Sequence, residues 1–372
     1  MPWFPYGHYT DVFMQALTST GIPAALLSLA ALFVLHPFAR LIRLVDVPDH
    51  RKAHTGAVPL IGGLSAFVGL FLAWVISMPL TGGFGIYLFC SLVLVLLGAV
   101  DDARDVPARF RLGAQVALGA ILSYGSGVYL TGFGNLLGLG DTPLGWAGPL
   151  VTIAAVIGAT NAYNMVDGID GLAGSMSLVT LGSLALLFSM SPGFQTEFVL
   201  AIAIVMALLP YIAANLCLPP FRTRIFMGDA GSMFIGFSVV WLLVNGAQPD
   251  TGAFRPVTAL WVCAIPLMDM VAIMIRRARK GQSVMQPDRD HLHHIFLRAG
   301  FTDRQALVVI TVFALALAGF GILGDVLSWP EWLMFGLFIA LFCGYSWAIG
   351  HVWRFVVARN FSPRPAKRRP DV

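Results

Sequence analysis

The carboxylates Asp101 and Asp102, with Asp105 close behind, follow directly on the apolar run 92–100. Adjacent carboxylates at the mouth of a membrane helix repel each other and lose hydration. Such a pair recruits a cation, or raises one pKa so that a carboxylate serves as a base. With Arg104 and Arg109 beside it, a solvated loop start is the plainer reading.

A second group is the string Asn161-Ala-Tyr-Asn164-Met-Val-Asp167-Gly-Ile-Asp170-Gly. Asn161 and Asn164 are spaced to share a helix face, and Gly168 and Gly171 open the backbone to close approach by a ligand. Two amides and two carboxylates at one mouth suit a sugar, a ribose or a uracil edge. A polar helix cap would ask for fewer such groups.

In Phe226-Met-Gly-Asp229-Ala-Gly-Ser, the aspartate sits ahead of an apolar run, where the free N–H groups of a helix start are expected to meet phosphate oxygens. One aspartate plus phosphate oxygens and water is the usual protein site for Mg²⁺, and Phe226 is available to stack on a base. A plain capping aspartate is the alternative.

The string Asp288-Arg-Asp-His291-Leu-His293-His294 offers imidazoles for a diphosphate; no cysteine or HExxH spacing accompanies it to favour zinc. Upstream, Arg51-Lys52-Ala-His54 places cations for an anionic headgroup, ahead of Gly62 and Gly63. Asp269 is an acid inside an apolar run, a functional candidate or the partner of a basic residue in the bundle.

The elements that must hold these groups are membrane helices. Of 372 residues, 58% are hydrophobic and 11% charged, where a soluble domain carries about 25% charged residues. Spans of about 20 apolar residues are expected near 16–38, 59–79, 84–100, 112–131, 147–163, 172–190, 196–217, 231–247, 256–275, 305–325 and 332–351. This is an all-α integral membrane bundle of about eleven helices. Alternate crossings put 22 of the 23 lysines and arginines on one face, leaving only Arg255 on the other. Basic loops stay in the cytoplasm, so the N-terminus is expected outside (periplasmic) and the C-terminus inside. The first span lacks a basic leader and an A-x-A site, so it is expected to remain in the mature chain.

Thirteen of the 19 acidic residues and seven of the eight histidines share the basic face. The chemistry is therefore expected to face the cytoplasm, where nucleotide-activated substrates are found. Residues 1–351 read as one polytopic domain with catalytic loops near 39–58, 101–111, 164–171, 218–230 and 276–304. The basic tail 352–372 is a topology signal or a contact for anionic lipid. The net charge of +4, placed this way, does not indicate nucleic acid. The four cysteines show no CxxC pair and read as small buried hydrophobes.

In order along the chain, RKAHTGAVPLIGG, VDDARD, NAYNMVDGIDGL, FMGDAGS, PLMD and DRDHLHHIF resemble the polyprenyl-phosphate N-acetylhexosamine-1-phosphate transferase superfamily, glycosyltransferase family 4. The leucine at 292, which interrupts the histidines, and Val166 ahead of the DGxDG segment are similar to the N-acetylglucosamine branch. Phospho-N-acetylmuramoyl-pentapeptide transferases instead carry three consecutive histidines and a threonine. The resemblance implies transfer of N-acetylglucosamine 1-phosphate from UDP-N-acetylglucosamine to undecaprenyl phosphate in the bacterial inner membrane, beginning O-antigen or enterobacterial common antigen synthesis. It implies Mg²⁺ (Mn²⁺ substituting) on Asp229, and uracil held by Phe226 and Asp170 with Asn215 nearby. Asp101 and Asp102 correspond to the pair that deprotonates or positions the lipid phosphate. His291, His293 and His294 match the loop that handles the sugar and diphosphate. A homodimer is implied by the family alone.

Three rivals are weighed. Another UDP-sugar, such as UDP-N-acetylmuramoyl-pentapeptide, would use the same chemistry. A transporter would show paired charges at mid-membrane and pseudo-repeated halves. A CDP-alcohol phosphotransferase would carry DxxDGxxAR…GxxxDxxxD, which is absent.

Overall fold

The computed structural model describes residues 6–47, 56–80, 83–249, 251–283 and 291–360, the side chains of 6–10 and 352–360 excepted. Fourteen α-helices run through them. The first seven are α1 (Tyr6–Ala16), α2 (Ile22–Leu35), α3 (Gly62–Ser77), α4 (Phe84–Arg104), α5 (Ala108–Ala120), α6 (Gly148–Val166) and α7 (Leu172–Ser189). Then follow α8 (Gln195–Asn215), α9 (Gly228–Gly246), α10 (Pro256–Val262), α11 (Ala264–Arg279), α12 (Leu292–Arg298), α13 (Asp303–Val326) and α14 (Glu331–Asn360). The all-helical expectation has one small departure, an antiparallel pair of two-residue strands, β1 (Val45–Asp46) and β2 (Val58–Pro59).

Eight helical stretches are long and apolar enough to cross a bilayer, or nine if a bent pair counts as one span. The chain is a multi-pass membrane protein. Helices stand at all eleven expected positions, with three differences. The second, α3, has only 16 residues, because the backbone of 59–61 is engaged in the strand pair and the turn after it. The fourth runs from α5 through a π-turn and stops at Gly125 instead of reaching 131. The expected single helix over 256–275 is broken at Cys263, with α10 and α11 bent 84° to each other.

The bundle is built around α9, 78% of whose apolar window is buried. It packs on α3, α4, α6, α7 and α8. Small residues set how near its neighbours come. A Cβ at Gly63 would overlap the backbone of Gly231, and one at Gly98 the backbone of Ala230. These crossings bring α3 and α4 onto the first turns of α9, beside Asp229.

Candidate active site

Chain direction at the end of α4 is set by Asp101. Asp105 adopts a left-handed conformation (φ 53°) and donates its N–H to the Asp101 carbonyl. The Asp101 side chain accepts the Val106 N–H at 2.7 Å, which turns the chain into α5. One and a half turns later Arg111 points back, with Nη1 2.5 Å from Asp101 Oδ2 and 3.4 Å from Asp229 Oδ2. Asp101 is 5% exposed; both its oxygens are engaged.

Asp102 is engaged just as fully, by the start of α9. Its oxygens accept the N–H groups of Asp229 (2.9 Å) and Ala230 (3.3 Å). This corrects the expectation that the helix-start N–H groups await a phosphate: a carboxylate supplied by α4 caps them. Asp229 itself is not the N-cap. Its side chain accepts from Asn164 Nδ2 at 2.5 Å and faces Arg111. Asn164 also donates to Ser232 Oγ at 3.1 Å.

Asn161 and Asn164 address different helices despite their spacing. Asn161 donates to Gln115 on α5 at 3.1 Å and to its own helix at the Ile157 carbonyl. Beyond α6, Asp167 is exposed to solvent, yet it stands at the end of the bundle with much protein close around it. Loss of water, then repulsion from Asp102 and Asp170, lifts its pKa to about 7. Among the described residues no hydrogen bond reaches that carboxylate. Asp170 pairs with Arg224 at 2.9 Å.

Asn215 is a buried brace between two loops. Its Oδ1 accepts the Gly171 N–H and its Nδ2 donates to the Ile225 carbonyl at 3.0 Å. Phe226 is held by its backbone: its N–H donates to the Pro59 carbonyl and its own carbonyl accepts from Gly62. The PLIGG and FMG segments thus run side by side, leaving the Phe226 ring half-buried. Lys52 and His54 lie outside the described residues, as do Asp288 and Asp290.

The three histidines differ in their surroundings. His291 lies with Nδ1 2.9 Å from Asp269 Oδ2. His293, 2% exposed, is flanked by both other imidazoles, with His294 centred 4.2 Å away. Burial and then those neighbours lower its pKa to about 3, so it is neutral at physiological pH, and among the described residues its buried Nε2 meets no hydrogen-bond partner. Its ring occupies the space over Gly168, which brings the histidine segment onto the Asp167–Asp170 loop. His294 is half-buried.

Sequence reasoning missed Arg111, Gln115, Arg224, Ser232 and Tyr345 as members of this network. Arg111 was readable only as a topology signal, and nothing in its local sequence ties it to residue 229.

Two carboxylates, Asp101 and Asp229, share one guanidinium, a third, Asp102, caps the same helix start, and all the potential metal ligands are oxygen. That excess of negative charge and those hard ligands fit a divalent cation such as magnesium. Among the described residues no three His, Cys, Asp or Glu side chains form a metal cage, so substrate oxygens and water would have to complete the shell.

An apolar cavity of about 640 Å³ lies between α6, α10, α11 and the second half of α9, lined from Phe133 and Ala247 to Ala162 and Met270. The Pro266 and Cys263 walls come from the break between α10 and α11.

A multi-pass helical bundle that gathers acidic and amide side chains at the start of its central helix has the build of a membrane enzyme. The profile of glycosyl transferase family 4 matches residues 84–247. The undecaprenyl-phosphate alpha-N-acetylglucosaminyl 1-phosphate transferase of Yersinia pestis is 44% identical over 88% of this chain and 90% of its own. Proteins of the same name from Escherichia coli K12 and Haemophilus influenzae are 43% and 41% identical, over 87% and 91% of this chain and 88% and 95% of theirs. The chain belongs to glycosyl transferase family 4.

Proposed function

We propose that this protein transfers N-acetylglucosamine 1-phosphate from UDP-N-acetylglucosamine to undecaprenyl phosphate, releasing UMP, as the first step of a cell-surface polysaccharide such as O-antigen. The observation that carries this reading is the convergence of Asp101, Asp102, Asn164 and Asp229 at the start of α9. The relatives' shared name agrees with it.

The attacking oxygen is that of the lipid phosphate, already largely ionised near neutral pH; it displaces UMP from the β-phosphorus. Two anions must meet, so the protein's work is positioning and charge neutralisation more than base catalysis. Bound at Asp229, Mg²⁺ or Mn²⁺ would supply the neutralising charge and polarise the diphosphate. Arg111 stands beside that aspartate as a fixed cation. Asn164 holds the Asp229 carboxylate in one orientation. Asp101 and Asp102 organise the site, since Asp101 is occupied by the Val106 N–H and Arg111 and Asp102 by the N–H groups of Asp229 and Ala230. Asp167 is the carboxylate left with acceptor capacity for a sugar or ribose hydroxyl, or for a proton. The Phe226 ring and Asp170, which pairs with Arg224, are the groups that the resemblance assigns to uracil. The 640 Å³ cavity suits the first isoprene units, which cannot leave the bilayer.

In this reading the short α3 and α5 segments also cross, giving eleven spans over a single domain, with the N-terminus outside and the site facing the cytoplasm of the inner membrane. The experiment is UMP release by purified protein with UDP-N-acetylglucosamine, undecaprenyl phosphate and Mg²⁺, run beside UDP-N-acetylmuramoyl-pentapeptide and Asp229→Asn. Lipid-dependent UMP from the first donor alone, reduced roughly 100-fold or more in the variant, is the expected result. Release from the pentapeptide donor instead would move the reading to that substrate, and full activity in Asp229→Asn would remove the metal assignment.

A further inference from the structure

Asp269 accepts hydrogen bonds from three separate elements. His291 Nδ1 lies 2.9 Å from Oδ2, while the Leu292 N–H (3.0 Å) and the Tyr345 hydroxyl (2.9 Å) both reach Oδ1. Asp269 is on α11, His291 and Leu292 open α12, and Tyr345 is on α14. All lie outside the 84–247 region that the family profile matches.

The physical consequence of each contact is specific. The carboxylate accepts a hydrogen bond from the Nδ1–H of His291, which fixes the ring's orientation. By accepting the Leu292 N–H it also caps the first turn of α12, the helix that carries His293 and His294. Asp269 is 2% exposed, so its three donors replace solvent that cannot reach it. Tyr345 adds the third donor from the far side, from a helix that otherwise presents large apolar side chains outward, among them Ile339 and Trp347.

We infer that Asp269 and Tyr345 are positioning residues for the histidine segment, the final helix reaching back through Tyr345 to set where the imidazoles stand over the Asp167–Asp170 loop. The link to that loop is the packing of His293 on Gly168. A displaced α12 would therefore misplace the groups facing the donor sugar and diphosphate without altering Asp229, Arg111 or Asn164. This inference rests on the transfer reading above for its kinetic consequence, but its structural half does not.

The test uses the full-length protein in nanodiscs, comparing wild type with Tyr345→Phe, Asp269→Asn, His291→Gln and the double variant Tyr345→Phe/His291→Gln. Hydrogen–deuterium exchange is followed over 291–298, and kcat and KM for UDP-N-acetylglucosamine are measured separately. We expect exchange in 291–298 to rise in Tyr345→Phe while α9 stays protected. The same variant should lower kcat by roughly 3- to 10-fold, the span of one lost hydrogen bond, with KM little changed. If Tyr345 acts through His291, adding Tyr345→Phe to His291→Gln lowers kcat no further. Tyr345→Phe removes a single hydroxyl, so it remains readable even where Asp269→Asn lowers the yield of folded protein.

Unchanged exchange in both Tyr345→Phe and Asp269→Asn would overturn the inference. So would faster exchange with an unaltered kcat, or a double variant whose loss is the product of the two single losses. Absence of transfer by the wild type would instead overturn the proposed reaction, with the exchange comparison still judging the placement of α12.

Discussion

The imidazole of His293 fills the space that a side chain on Gly168 would occupy. Two stretches 125 positions apart in the chain therefore meet by exclusion, with glycine on one side and a buried ring on the other. Gly168→Ala should push that ring aside and destabilise by about 1–3 kcal/mol, the usual range for overpacking. Thermal melting in detergent checks this. Combining Gly168→Ala with His293→Ala should return much of the lost stability, and strict additivity would show that the contact is not what joins the segments.

Asp102 caps α9 from another helix, and that role separates two substitutions. Asp102→Ala leaves the N–H groups of Asp229 and Ala230 without their acceptor and should cost about 0.5–2 kcal/mol. Asp102→Asn keeps one carbonyl oxygen and should cost less. Equal melting temperatures for the two variants would argue against the cap. Both should lower transfer, because the helix start that carries Asp229 shifts with its cap.

Asp167 gives the site a pH dependence whose sign can be worked out. Its folded pKa of about 7 lies above the ordinary 3.8, so the folded chain holds this proton more tightly than the unfolded chain does. The associated stability is complete below about pH 4 and is lost as pH rises through 7. Asp167→Asn should therefore melt higher than wild type at pH 8, with the gap closing toward pH 4. If the ionised carboxylate is the working form, wild-type kcat rises with pH through about 7 and Asp167→Asn loses that limb. Identical pH–rate profiles would remove Asp167 from the reaction.

Orientation can be read by labelling in a background lacking Cys90, Cys217, Cys263 and Cys343. Leu139, 90% exposed in the loop before α6, should accept an impermeant maleimide on intact spheroplasts once changed to cysteine. Cysteine at the exposed Arg304 should react only after permeabilisation. The reverse pattern would invert the proposed topology.

Much of this was legible along the chain, for identifiable reasons. Span positions follow from composition, because lipid-facing helices must be apolar wherever they stand. The 101–102, 161–171 and 226–232 clusters were legible because several polar groups at the end of an apolar run cannot all be caps. Partners were not. Asp101 with Arg111 and Asp102 with the N–H groups of 229 and 230 are tertiary pairings, and no local periodicity encodes them. Nor was the 84° break at Cys263, since apolar content continues unbroken across it. His291 and His293 looked equivalent beside His294, yet burial and Asp269 give the three rings different tasks. Asn215, assigned to a ligand by resemblance, has both ends of its amide committed to backbone.

The contact between Asp102 and the start of α9 spans 127 residues of sequence, and that interval is also a delay. At roughly 5–20 residues per second of synthesis, α4 is complete on the order of ten seconds before the backbone it caps has been made. During that time Asp101 already has Val106 and Arg111, while Asp102 stands without the N–H groups it will cap. The arrival of α9 caps the acidic end and brings Asp229 to Asn164 and Arg111 in the same event. A chain halted before residue 228 lacks both Asp229 and the N–H groups that cap Asp102.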